Sequence, residues 1–265
     1  MILTLLTDYG QADEFVGVCH AVARGILPPE VPIVDITHGV PRHDVRHGAL
    51  TLANALRYVP VGVHVAVVDP QVGTERRAVA VRCEDGRVLV GPDNGLLSLA
   101  WERAGGAVEA IDVSRSQHRL EPVSATFHGR DVFVPVAARI AAGAHLLDAG
   151  EPLEIDALEA LTLPAPQLDA DAREATAHAL LVDGYGNVSL DLRHEHMMSL
   201  GFTIGTRVEV DGRAATVVQT FADVPAGELL VYEDAWGAVA LAVNRGSAAA
   251  TLGLERDAQV RLARA

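Results

Sequence analysis

The stretch AVVDPQVGTERR, residues 66–77, ends an apolar run in Asp69 and reaches Arg76 through residues typical of turns. A second stretch, TFHGRD at 126–131, carries His128 and Arg130 just ahead of a helical pattern. A carboxylate, a guanidinium and an imidazole brought together make a water-activating set without a metal. The carboxylate orients the imidazole and a water, and the guanidinium stabilises developing hydroxide. Asp8 closes another apolar run, LTLLT, and is a further candidate at a strand tip, whereas Asp35 lies inside PIVDIT and points sideways.

Other chemistries are harder to build. All 21 basic residues are arginine, so there is no Schiff-base lysine and no Walker lysine. Neither GxGxxG nor GxSxG occurs, which removes the dinucleotide fingerprint and the hydrolase elbow. His43 and His47 are one helical turn apart but lack the intervening glutamate of HExxH; with HEH at 194–196 they read as solvated faces, so no metal site is expected. Two cysteines make neither a disulfide framework nor a zinc knuckle. Cys19 shares a helical face with Phe15, Val22 and Ile26 and reads as core. A net charge of -14 and the lack of a basic, aromatic stripe argue against nucleic acid.

Elements that would position these residues follow from periodicity. Residues 1–150 alternate strand-like and helix-like segments, which predicts an α/β domain with a mostly parallel sheet. Its helices include 13–26, with Asp13 as N-cap, and one that Asn94 caps through LLSLAWERA. In such sheets, ligands sit beyond the carboxyl ends of the strands, where Asp8 and Asp69 stand. Residues 151–174 are acidic and proline-punctuated and read as a linker. Residues 175–265 read as short strands forming a smaller all-β, barrel-like domain, with Asp211-Gly212 as a type I′ hairpin turn. Within it VDGYGNVSLDL (182–192) and AWGAVALAVNRGSAA (235–249) supply turn-borne polar groups. No apolar run approaches the ~18 residues of a bilayer span, and MILTLLTD has no basic leader region, so the expectation is a cytoplasmic chain with no membrane partner.

In order, LTDYG…DEFVG, DITHGVPRHDV, VVDPQVGTERR, VGPDNGLL, TFHGRDVF, VDGYGNVSLDL and AVNRGSAA resemble the S-adenosylmethionine (SAM) hydroxide adenosyltransferase family, relatives of the SAM-dependent fluorinases and chlorinases. The matching segments run from residue 2 to about 249. The resemblance implies hydrolysis of SAM to adenosine and methionine, with SAM as substrate and no cofactor. It implies a homotrimer whose sites lie between one subunit's first domain and a neighbour's second. By the same resemblance Asp69, Arg76 and His128 match the catalytic triad, and Asp8 the ribose-binding aspartate. Val72 and Phe127 would line the nucleoside pocket. Asp183 and Asn187 would reach in from the neighbour, Trp236 would lie at the methionine end, and Val243 to Arg245 would meet the adenine. Asp69 and Gly129 replace the uncharged residue and the serine of the fluorinases, which argues against a halide-using transferase. A non-catalytic adenosine or SAM sensor is the other alternative, and a metal-dependent hydrolase a more distant one.

Overall fold

Three apolar pentads set the first sheet. Leu3–Thr7 (β1), Val63–Val67 (β3) and Val88–Pro92 (β5) are buried along their whole lengths, as strands covered on both faces must be. With Ile33–Thr37 (β2) they form the parallel run β2-β1-β3-β5. Ala78–Cys83 (β4), Ala107–Asp112 (β6) and Glu151–Leu153 (β7) continue it antiparallel, in the order β5-β4-β6-β7. The change of direction comes from the tight turn Glu84–Arg87, which returns β4 on β5 as a hairpin. Gly86 there has φ 90°, a value that L side chains rarely adopt.

Helices cover both faces. Phe15–Arg24 (α1) and Val134–Ala141 (α4) pack on one side with Leu3, Leu5, Val65 and Val67. Val45–Ala55 (α2) and Ser98–Arg103 (α3) pack on the other with Leu6, Ala66 and Val68. The chain leaves β1 across one face to β2 and returns across the other to β3, so the strand order reverses between β1 and β3. That reversal opens a crevice at the carboxyl ends of these two strands. Asp8 directly follows β1, and Asp69 lies two residues beyond β3.

Two helix starts differ from the sequence reading. Helix α1 begins at Phe15, and neither Asp13 nor the N-cap residue Glu14 supplies a side-chain cap. Asn94 caps the turn before α3 instead: its Oδ1 accepts the Leu96 N–H at 3.2 Å and its Nδ2 donates to the Val68 carbonyl at 3.0 Å. Cys19 is core as expected, and burial pushes its thiol up to about 12, which leaves no thiolate at neutral pH.

The computed structural model describes residues 1–265 and divides into two contact units, Met1–Leu161 and Thr162–Ala265. The second unit adds Gln167–Asp169 (β8), Glu174–Val182 (β9), Val188–Arg193 (β10), Arg207–Val210 (β11), Arg213–Val217 (β12), Leu229–Glu233 (β13), Ala238–Val243 (β14) and Gln259–Arg264 (β15). Strands β10-β14-β13-β12-β11-β15-β9 close into a barrel through the pairing of β9 with β10, and β8 adds to β9. The β11–β12 turn has φ of 49° at Asp211 and 76° at Gly212, the type I′ geometry expected from Asp-Gly. Short helices His194–Ser199 (α5) and Ala248–Leu252 (α6) sit between barrel strands. No helix is long and apolar enough to cross a membrane.

Candidate active site

At the β1/β3 crevice lies a cavity of about 260 Å³ lined by Asp8, Tyr9, Phe15, Arg42, His43, Val67, Asp69, Val72, Thr126, His128 and Gly129. Asp69 sits on its wall with Arg76 behind it, and both side chains are almost fully buried. Arg76 Nε donates to Asp69 Oδ1 at 3.1 Å and Nη2 donates to Oδ2, a fork-on-fork pair. Arg76 Nη1 also donates to the Arg77 carbonyl at 3.1 Å, and the guanidinium lies 5.3 Å from the Phe133 ring centroid. A second Nη2 contact reaches His128 Nδ1 at 3.1 Å.

The contact with His128 fixes its tautomer. A guanidinium only donates, so Nδ1 accepts and the ring proton resides on Nε2. Burial, and next the Arg76 charge, hold the His128 pKa below the usual 6.5, so the ring is neutral at neutral pH. Here the structure corrects the sequence reading. Asp69 does not hold His128; Arg76 stands between them, giving the run Asp69–Arg76–His128.

Asp8 is positioned from two elements. Its N–H reaches back to the Val67 carbonyl at 3.4 Å, and its Oδ2 accepts the His43 N–H at 2.9 Å. His43 takes φ 67° just before α2, where Asp44 caps the helix by accepting the His47 N–H at 3.0 Å. His43 is exposed, as read from sequence, and it also lines the cavity; its part there is a backbone donor, which leaves no side-chain signature.

Phe127 joins Tyr9 and Phe15 in a three-ring cluster with centroid separations of 5.2–6.0 Å. Tyr9 was not singled out from sequence. Burial, aided by Cys19, Asp8 and Asp69, pushes its phenol well above 10, so it carries its proton. Its hydroxyl lies against Gly129, in the space a Cβ there would fill.

The remaining candidates lie in the second unit. Asp183 Oδ1 accepts the Tyr185 and Asn187 N–H groups at 2.8 and 2.9 Å, and Oδ2 accepts from Asn187 Nδ2 at 2.8 Å. This loop docks on the turn after β14: the Ala249 N–H donates to the Gly186 carbonyl at 3.0 Å. A Cβ on Gly186 would collide with Ser247. Val243 bridges to Gly246 across Arg245, which has φ 58°. Asp183 and Asn187 are thus brought together, beside the Val243–Arg245 turn. Trp236 sits in a separate turn, its N–H held by Asp234 Oδ1 at 2.8 Å.

Comparison with known proteins gives a consistent match over the chain. Residues 3–150 match the model of the SAM hydroxide adenosyltransferase N-terminal domain, and residues 177–261 that of its C-terminal domain. The chain is 46% identical to an (R)-S-adenosyl-L-methionine hydrolase of Salinispora tropica, over 98% of this chain and 97% of that one. A fluorinase of Nocardia brasiliensis matches over 98% of this chain and 96% of its own at 28% identity. A solved conserved protein of Thermotoga maritima superposes with a TM-score of 0.90 at 33% identity, covering both chains fully.

Proposed function

The chain belongs to the SAM hydroxide adenosyltransferase family, and on that premise we propose that it hydrolyses S-adenosyl-L-methionine to adenosine and L-methionine. The observation that carries the reading is the hydrogen-bonded run Asp69–Arg76–His128 at the wall of a cavity that also presents Asp8.

Water attacks C5′ in line with the C5′–sulfur bond. The O–C5′ bond forms as the C5′–S electron pair withdraws onto sulfur, turning the sulfonium into the neutral thioether of methionine. That leaving group takes no proton, so neither a general acid, a metal nor a cofactor is needed. The burden falls on the nucleophile, since bulk water has a pKa of about 15.7. The Arg76 charge stabilises developing hydroxide. Neutral His128 keeps its Nε2 proton and offers that N–H as a hydrogen bond to the water oxygen, which sets the water's orientation. Asp69 keeps a free lone pair on each oxygen beyond those used by Arg76, and takes the proton the water loses. Asp8 binds the ribose hydroxyls, and Val72 and Phe127 flank the nucleoside. The carboxylates Asp8 and Asp69 also favour a sulfonium cation over an anionic ligand in this cavity.

The assembly in this reading is a homotrimer, with Asp183, Asn187, Trp236 and the Val243–Arg245 turn supplied to each cavity by a neighbouring subunit. Supporting it, the aromatic Tyr185 between Asp183 and Asn187 is 84% exposed in the single chain, an uncovered ring on a loop that carries ligand-type groups. The protein would act in the cytoplasm, consistent with two buried, unpaired cysteines. Incubating purified protein with SAM in chloride-free, chelator-treated buffer tests the activity. Adenosine and methionine should appear in equal amounts; SAM recovered intact would refute it.

A further inference from the structure

His20 on α1, Asp35 on the edge strand β2 and His38 just beyond that strand converge, and none of the three lines the cavity. His20 Nε2 lies 2.8 Å from Asp35 Oδ1, and His38 Nε2 lies 3.1 Å from the same oxygen. One donor atom from each of the three side chains falls within 4.8 Å of the others. The contact between His20 and Asp35 alone would be an ordinary surface ion pair. His38 makes it something else. Its side chain is 3% exposed, yet Nε2 has no hydrogen-bond partner. With Nε2 unprotonated its lone pair is set against the Asp35 carboxylate, and with Nε2 protonated the attraction is made without an aligned hydrogen bond. A cation shared by the three groups removes that conflict.

The outer contacts suit a metal ligand. His38 Nδ1 is 2.8 Å from Thr7 Oγ1, the kind of partner that orients a ligating imidazole and leaves Nε2 free for the metal. Two imidazoles and one carboxylate favour zinc over magnesium or calcium, which prefer all-oxygen sets. Ligand distances of about 2.0–2.2 Å put tetrahedral donor atoms roughly 3.3 Å apart, close to the two histidine–carboxylate separations of 2.8 and 3.1 Å, with the two imidazole nitrogens within 4.8 Å of each other. The side chains of His20 and Asp35 are 33% and 38% exposed, so both can adjust and a fourth position stays open to solvent.

We propose that His20, Asp35 and His38 form a zinc site at the free edge of the first sheet. It would tie β2, which pairs only with β1, to helix α1. The site takes no part in the hydrolytic step. It does abut the loop that carries Asp8, since the His38 carbonyl accepts the Gly10 N–H at 2.8 Å and Thr7 Oγ1 accepts that of Tyr9 at 3.2 Å.

Zinc chloride titrated calorimetrically into tag-free, chelator-stripped, full-length protein tests the site. Wild type should bind one zinc per chain and melt at a higher temperature with zinc than without. His20→Gln and Asp35→Asn should each weaken binding at least roughly tenfold, as removal of even an outer partner does. His20→Gln lies on the solvent side and should melt as wild type does in chelator, which separates ligand loss from misfolding. No stoichiometric binding by wild type, or binding by either variant as tight as that of wild type, would overturn the assignment; wild-type affinity in the variants would place zinc on other histidines.

Discussion

The Tyr9 hydroxyl stands where a side chain on Gly129 would begin: a Cβ built on Gly129 overlaps that hydroxyl and comes within 3.0 Å of the ring Cζ. Position 129 is glycine because the protonated phenol of Tyr9 already fills its space at the cavity wall. Gly129→Ala should therefore displace Tyr9 and lower SAM turnover by about tenfold or more, the scale of a misplaced positioning group. Adding Tyr9→Phe removes the overlapping oxygen and leaves the tight approaches to the ring carbons Cζ and Cε2. The double variant should recover part of the loss. Steady-state kinetics on the two proteins decide it, and a Gly129→Ala enzyme at wild-type rate would mean the contact is unimportant.

The triad and Asp8 should separate in kinetics. Asp69→Asn and His128→Ala should each lower kcat by ~10²–10⁴-fold with little change in KM. Asp69→Ala is a poorer test. It leaves the buried Arg76 charge unpaired, a fault that costs about 3–5 kcal/mol of stability. Asp8→Asn should instead raise KM by roughly ten- to a hundredfold, the loss of a charge-assisted hydrogen bond.

His128 sets the acid limb of activity. The neutral ring is the working form, and burial together with Arg76 holds its pKa below 6.5. Activity should thus rise with pH through a midpoint below 6.5 and be flat at neutral pH. A kcat/KM profile with that midpoint at or above 6.5 would contradict the geometry around Nδ1.

Stability has a separate acid sensor. His64 on β3 is fully buried, bonded to Thr4 Oγ1 at 3.0 Å, and burial lowers its pKa to about 4. The unfolded chain takes up this proton near the ordinary value of 6.5, the folded chain only near 4. Stability from this group is intact above 6.5 and falls as pH drops toward 4, by up to about 3 kcal/mol. Urea midpoints should decline less between neutral and mildly acidic pH in His64→Gln than in wild type. Parallel declines would assign the acid sensitivity elsewhere.

How much of this was legible in the sequence varies with the range of the interaction. Local pattern carried the buried strands, the Asp211-Gly212 hairpin and the strand-tip placement of Asp8 and Asp69, because each depends on neighbours a few residues away. The antiparallel return of β4 on β5 has no local signature, since an apolar strand reads alike in either direction. Strand β15 has a weak boundary signal: QVRLAR alternates, but it follows a short charged loop rather than a clear turn. The Tyr9–Gly129 contact and the His43 backbone donor to Asp8 join residues far apart in the chain and have no signature in spacing. The bridging place of Arg76 is of the same kind. Strand-tip and loop placement, with the family resemblance, brought Asp69, Arg76 and His128 forward as a set, but only the folded geometry sets the order of contact.

Turnover of SAM in heavy-oxygen water, with the products analysed by mass spectrometry, tests the central claim most directly. Attack of activated water on C5′ puts one heavy oxygen in the 5′-hydroxyl of adenosine and none in methionine. Unlabelled adenosine, or label carried by the methionine product, would contradict the assigned chemistry.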